Sequence, residues 1–300
     1  MAFPWNSVVY KIASCTTFSM LNAMIKSTPL SALWIVFIQN LGAFLWATLC
    51  CDFRIRSALF HPYALLRSLF ALGGVILWAI SLKKFSLFQT ISMGLFSPCA
   101  TVALAVLFLR EKLTWRRGGA IGLSSIGGIF MHCGLEIFHG TWWQYISLHT
   151  LPLWPLLATF CFAASNILAK KLLLRSPPEE VGFSLFALTA LGAFIGIVAS
   201  SQGLIPMHLA PLSSILHASR NLLFWKNVLA LGSLTFLSHL MLNRALFGRQ
   251  ILFLLPFGAT KPLTSAFLGW YFFHEPWPTL WMWTGSLAML VAISLLSTER

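Results

Sequence analysis

Along this chain, polar residues fall in short clusters separated by long apolar stretches. No Asp, Glu, Lys or Arg occurs over Ser27–Cys51, Phe85–Leu109, Val181–Ser219 or Pro276–Thr298. About 20 apolar residues in a helix suffice to cross the hydrocarbon core of a bilayer. Charge-free stretches set against turn residues predict ten membrane helices, over 6–26, 30–50, 66–82, 86–109, 117–135, 152–173, 181–201, 223–243, 250–273 and 277–297. Pro29, Pro152, Pro177-Pro178 and Pro276 mark helix starts or loops. The third span is the shortest, with Arg67 and Lys83 free to snorkel to the two interfaces. The region 202–222, with two prolines and Arg220-Asn221, reads as an external loop or interfacial helix.

The spans contain an internal repeat. Gly94-x3-Pro98-x12-Glu111 returns as Gly258-x3-Pro262-x12-Glu275, every residue displaced by 164 positions. Phe18-x3-Asn22-x3-Lys26 returns as Phe162-x3-Asn166-x3-Lys170. The chain therefore divides into two five-helix halves, 1–150 and 151–300. An odd number of helices turns the second half upside down, so the expected fold is an all-α membrane protein of two inverted repeats. Inverted repeats supply two packings of similar energy, one open to each side, which is a route to alternating access.

Composition agrees. The chain is 58% hydrophobic and 9% charged, where soluble domains carry about 25% charged residues. A net charge of +13 would suggest nucleic acid in a soluble protein, but here Lys and Arg sit in loops between spans, and no nucleic-acid partner is expected. With the N-terminus inside, twelve basic residues fall on the cytoplasmic side (Arg54, Arg56, Arg67, Arg110, Lys112, Arg116, Arg117, Lys170, Lys171, Arg175, Arg244, Arg249). Five fall opposite: Lys26, Lys83, Lys84, Arg220 and Lys226. This positive-inside bias puts both termini in the cytoplasm of a bacterial inner membrane. The six cysteines lie in or beside apolar runs without metal-ligand spacing, and they read as small buried hydrophobes. Lys11 interrupts what would be the apolar region of a cleaved signal, so the first segment is expected to be the first membrane helix.

The two Gly-x3-Pro spans ending in Glu, each followed by a glycine-containing helix (Gly118-Gly119-x2-Gly122; Gly285), carry a resemblance to a known family. With the Asn-x3-Lys endings of the first and sixth spans, they make the chain similar to the EamA-like branch of the drug/metabolite transporter superfamily over essentially its whole length. Two departures bear on substrate. The second span often carries a central Arg in that family, where this chain has Gln39-Asn40. The Leu-Gly-Glu ending reads Leu109-Arg110-Glu111 and Phe273-His274-Glu275. The resemblance implies transport of a small polar metabolite. An amino acid or a related anion-bearing solute comes first, and S-adenosylmethionine or another adenosyl metabolite is the alternative.

Lys261 is the foremost site candidate. It lies near the middle of the ninth span, where a cation costs roughly 2.5–3.5 kcal/mol even on the mildest scale. It is expected to face a wet cavity and bind an anionic group, or else to be a structural lysine held by carbonyls freed by Pro262. Its repeat counterpart is Ser97, beside Pro98. Met93, Ser97 and Thr101 share one helix face, as do Phe257, Lys261, Thr264 and Ser265. These faces are expected to line the cavity, although a polar stripe can equally glue helices together. Lys11, the pair Gln39-Asn40, and Trp78 opposite Gly73-Gly74 are further substrate-binding candidates; Lys11 could instead snorkel, and Trp78 could simply pack between helices. Gly94, Pro98, Gly258 and Pro262 are expected to shape the broken helices, Asn22 and Asn166 to satisfy neighbouring backbones, and His239 and Asn243 to form a polar gate. Lys26 and Lys170 end their helices, where the macrodipole favours them.

All seven carboxylates lie in loops or at span ends, so exchange or facilitated diffusion is expected rather than proton coupling through a central acid. No HExxH, GxSxG, Walker loop or His/Cys cluster is present in the sequence. No catalysis, cofactor or metal is expected. The expected partners are a small-molecule substrate and the lipid bilayer, for a monomer or weak homodimer. A non-transporting membrane scaffold is the reading from another class.

Overall fold

The computed structural model describes residues 5–50, 61–109, 114–133, 153–202, 222–246 and 256–297. All its regular elements are helical: α1 (Trp5–Ser27), α2 (Ala32–Cys50), α3 (Pro62–Lys84), α4 (Leu87–Met93), α5 (Ser97–Leu109), α6 (Trp115–Cys133), α7 (Leu153–Leu173), α8 (Pro178–Ser201), α9 (Leu222–Leu246), α10 (Thr260–Phe273) and α11 (Leu280–Ser297). Short 3-10 turns over Gly94–Phe96 and Pro256–Ala259 precede α5 and α10. Six stretches among the described residues are long and apolar enough to cross a membrane: Ser7–Ser27, Ala32–Leu49, Pro62–Lys84, Leu87–Leu104, Leu153–Leu173 and Pro178–Ser201.

Helix starts follow local chemistry. His61 caps α3 by accepting the Tyr63 N–H at 3.2 Å, with Pro62 in the first turn. Ser86 and Gln89 form a reciprocal capping box at α4. Pro178 opens α8, with Glu179 and Glu180 in its first turn, where the helix dipole favours acids.

The packing is that of a protein dissolved in lipid. Large apolar side chains face outward, among them Leu49, Leu69, Phe272 and Leu280. The interior is rich in small residues, with Ser14, Ser19, Ser238, Ser265, Ala43 and Ala47 buried. Small residues let backbones approach where lipid removes the hydrophobic drive between helices. A Cβ on Gly42 would lie 2.8 Å from Gly232 Cα, so α2 and α9 touch backbone to backbone. At the α6–α11 contact, a Cβ on Gly127 would meet Gly285 O at 2.6 Å.

The principal neighbours are α6 with α11, α3 with α7, α1 with α9, α2 with both α8 and α9, α3 with α8, α1 with α10, α4 with α10, and α5 with α7.

Three local expectations change. The third span is not short: α3 covers 23 residues. Arg67 does not snorkel, because it is buried and its Nη1 donates to Val181 O of α8 at 2.7 Å. The proline spans are not kinked within one helix. Pro98 and Pro262 sit in the first turns of α5 and α10, where a missing N–H costs nothing, and the break falls just upstream in the 3-10 turns.

Candidate functional site

Lys261 stands in the first turn of α10 with its side chain turned into the bundle. Its Nζ lies over the Phe18 ring, 4.6 Å from the centroid, a cation–π contact worth about 0.5–2 kcal/mol depending on desolvation. The residue is only half-buried although α10 packs on α1. Its backbone is fixed by hydroxyls: Lys261 O accepts from Thr264 Oγ1 at 3.0 Å and Ser19 Oγ at 3.3 Å. Thr264 Oγ1 lies 2.7 Å from Ser19 Oγ, which ties α10 to α1.

Phe18 is the hub of this arrangement. Its ring meets His239 of α9 edge-on at 5.1 Å, and His239 meets Phe186 of α8 at 5.6 Å. Lys11 stands two turns before Phe18 on the same face of α1. Lys11, Arg67 and Lys261 form no ion pair with a carboxylate among the described residues. No group of three metal-ligating acids, histidines or cysteines occurs among the described residues.

The other candidates divide. Thr264 joins the Lys261 cluster, whereas Ser265 is buried and donates to Pro262 O at 2.8 Å. Phe257 O accepts from Thr260 Oγ1, which braces the 3-10 turn before Lys261. Ser97 O accepts from Thr101 Oγ1 at 2.8 Å, both residues being half-buried. Met93 is buried in an apolar cluster with Phe88, Leu95, Ala266, Met289 and Ile293. Trp78 donates its Nε1–H to Asn22 Oδ1 at 3.0 Å and packs edge-on against Phe162. A Cβ on Gly94 would meet Trp78 Cη2 at 3.3 Å, whereas one on Gly258 would meet open space. Gln39 and Asn40 are both buried, and Asn40 Nδ2 returns to Val36 O of its own helix. Asn243 holds Pro178 O at 3.1 Å, one turn from His239 but bonded to a different helix. Asn166 is exposed, unlike its counterpart Asn22.

Sequence reasoning singled out Lys26 and Glu275 separately and missed that they meet. Their side chains form an ion pair. Lys26 Nζ also donates to Phe85 O at 2.8 Å, and the Glu275 carboxylate accepts the Leu87 N–H at 2.9 Å. Glu275 therefore caps α4 while bound to α1. His274 has φ 50°, the left-handed conformation that turns the chain back after α10. The Glu275 N–H closes that turn on Gly269 O at 3.1 Å. A Cβ at Gly269 would lie 2.6 Å from Glu275 Oε2, so this glycine makes room for the carboxylate.

The EamA-like transporter family model matches residues 5–133. A riboflavin transporter of Brucella anthropi is 23% identical to this chain over 231 residues, spanning 77% of the chain and 74% of that protein. A solved crystal structure, 15% identical, aligns over 97% of this chain and 95% of its own with a TM-score of 0.59; that likeness concerns the fold alone. The EamA-like match and the transporter relative support membrane transport of a small solute.

Proposed function

We propose that this protein carries a small anion-bearing metabolite across a bacterial inner membrane by alternating access between two inverted five-helix repeats, 1–150 and 151–300. One observation carries the substrate class: the half-buried Lys261 ammonium rests on Phe18 with no carboxylate partner among the described residues. A lysine so placed is compensated by water and by a transiently bound anion. Lys11 stands two turns earlier on the same face of α1 as Phe18. An amino acid or related carboxylate fits first. Trp78 is committed to Asn22 and Phe162, which leaves the half-buried Phe18 as the aromatic surface for an adenosyl or flavin ring.

The neighbour pattern supports the inverted repeat. Advancing each span by five exchanges the pair α3–α7 with α9–α1, α2–α9 with α8–α3, and α1–α10 with α7–α5, while α2–α8, α4–α10 and α6–α11 map onto themselves. That is the pairing a two-fold axis between the halves produces, and an odd number of spans per half would set it in the membrane plane. Both termini are cytoplasmic on this reading, and the carrier works as a monomer or weak homodimer.

The test is binding to purified protein of an amino-acid panel, S-adenosylmethionine and riboflavin, each against Lys261→Met. Loss of carboxylate binding in the variant supports the assignment, whereas riboflavin binding unaffected by it moves the substrate to the class named for the relative. A membrane scaffold would bind none of them and would keep its cellular role with Lys261→Leu.

A further inference from the structure

We infer that the Lys26–Glu275 pair is a latch that closes one end of the transport path, and that this structure is closed at that face. The inference rests on the alternating-access reading above. At the face where α1, α3 and α10 end, Lys26 Nζ binds Glu275 and Phe85 O. The Glu275 carboxylate in turn holds the Leu87 N–H at the start of α4. One ion pair thus joins an end of α1, the α3–α4 connection and the end of α10. These elements come from both halves of the chain, so they must separate if that end opens.

The surroundings fit a seal. Lys26 and Glu275 keep only 18% and 14% of their side-chain surface, and Lys26 lies 5.7 Å from the Phe273 ring centroid. A cavity of about 160 Å³ lined by Ser86, Gln89, Trp277, Thr279 and Met282 includes Glu275 in its wall. One turn inward from Lys26, Asn22 is buried and holds Trp78.

The second copy of the same motif is in the opposite condition. Asn166 and Lys170, the counterparts of Asn22 and Lys26, are both exposed. Asn22 and Lys26 are thus engaged where Asn166 and Lys170 are exposed, an asymmetry that fits a carrier with two states. A charge-assisted pair of this kind is a suitable switch, because opening exchanges its bonds for hydration instead of leaving a buried charge.

Hydrogen–deuterium exchange on the full chain in lipid nanodiscs, without substrate, tests this. Glu275→Gln is expected to raise exchange by about tenfold over 20–28 and 85–93, as the latched state loses population. It is expected to slow exchange at the first turns of α3 and α8, at the other end of the molecule, because opening one face closes the other. The double variant Lys26→Glu/Glu275→Lys should restore much of the original pattern. Faster exchange confined to the latch end would make the pair a local brace and overturn the inference, as would unchanged exchange. If Glu275→Gln does not fold, Lys26→Met is measured in its place with the same expectations. Transport of solutes tests the underlying reading separately, since the exchange experiment needs no substrate.

Discussion

At the scale of single residues, the interior is organised around groups whose charge or size has no substitute. Lys261→Met keeps the length of the side chain and removes its charge. We expect carboxylate affinity to fall about ten- to a hundredfold, the range for a lost charged hydrogen bond, with the folded protein at least as heat-stable. Isothermal titration and a melting curve check both parts, and retained affinity would make the lysine structural. Lys261→Arg should also bind weakly, because a planar fork does not reproduce a compact ammonium over Phe18. Gly269→Ala sets a methyl against the Glu275 carboxylate. A loss of roughly 1–3 kcal/mol is expected from such overpacking, read from denaturation in detergent; an unchanged midpoint would mean the carboxylate relocates freely. Lys261 stands out in the sequence because a cation in mid-span has few explanations. Arg67 could not: a cation near the end of an apolar run reads as an interfacial anchor, and only the fold brings Val181 O to it.

At the scale of elements, the breaks before α5 and α10 govern the interior. Both precede a proline in the first turn of the following helix. Pro98→Ala and Pro262→Ala return an N–H that can extend the helix backward through the 3-10 turn. Slower uptake with near-normal expression is the expected outcome, and wild-type rates in both variants would show that the breaks do not shape the path. Hydropathy and turn residues revealed the helices because lipid permits few other spanning structures. The repeated motifs point to two related halves, but not to a meeting of Lys26 in one motif with Glu275 in the other, 249 positions away. The clue was available in the topology, since the first and ninth spans end at the same face. Glycines that set helix approach, such as Gly42 and Gly232, carry no pattern that separates them from other membrane glycines.

At the scale of the molecule, the two-fold pairing of helices makes topology the decisive measurement. Impermeant thiol labelling should place 52–65, 110–117, 174–180 and both termini in the cytoplasm, and 136–150 and 202–222 outside; labelling of 136–150 from the cytoplasm would end the inverted-repeat reading. Most of these segments lie outside the described residues. The crossing of α2 and α9 bears on how such a molecule moves. At Gly42 and Gly232 there is no side chain to change rotamer or compress. The related crossing of α3 and α8 sets Gly192 against Leu72, whose Cδ2 would lie 2.7 Å from an added Cβ, so a pliable branched chain fills the gap there. One joint is therefore a rigid pin and the other a cushioned bearing, and rocking should pivot about the first while the second yields. Spin labels at the exposed Leu45 and Leu229, beside the pin, should keep a single separation with and without substrate. Labels at the exposed Leu69 and Leu191, beside the cushion, should show two, and a single separation at both sites would leave the carrier without this axle.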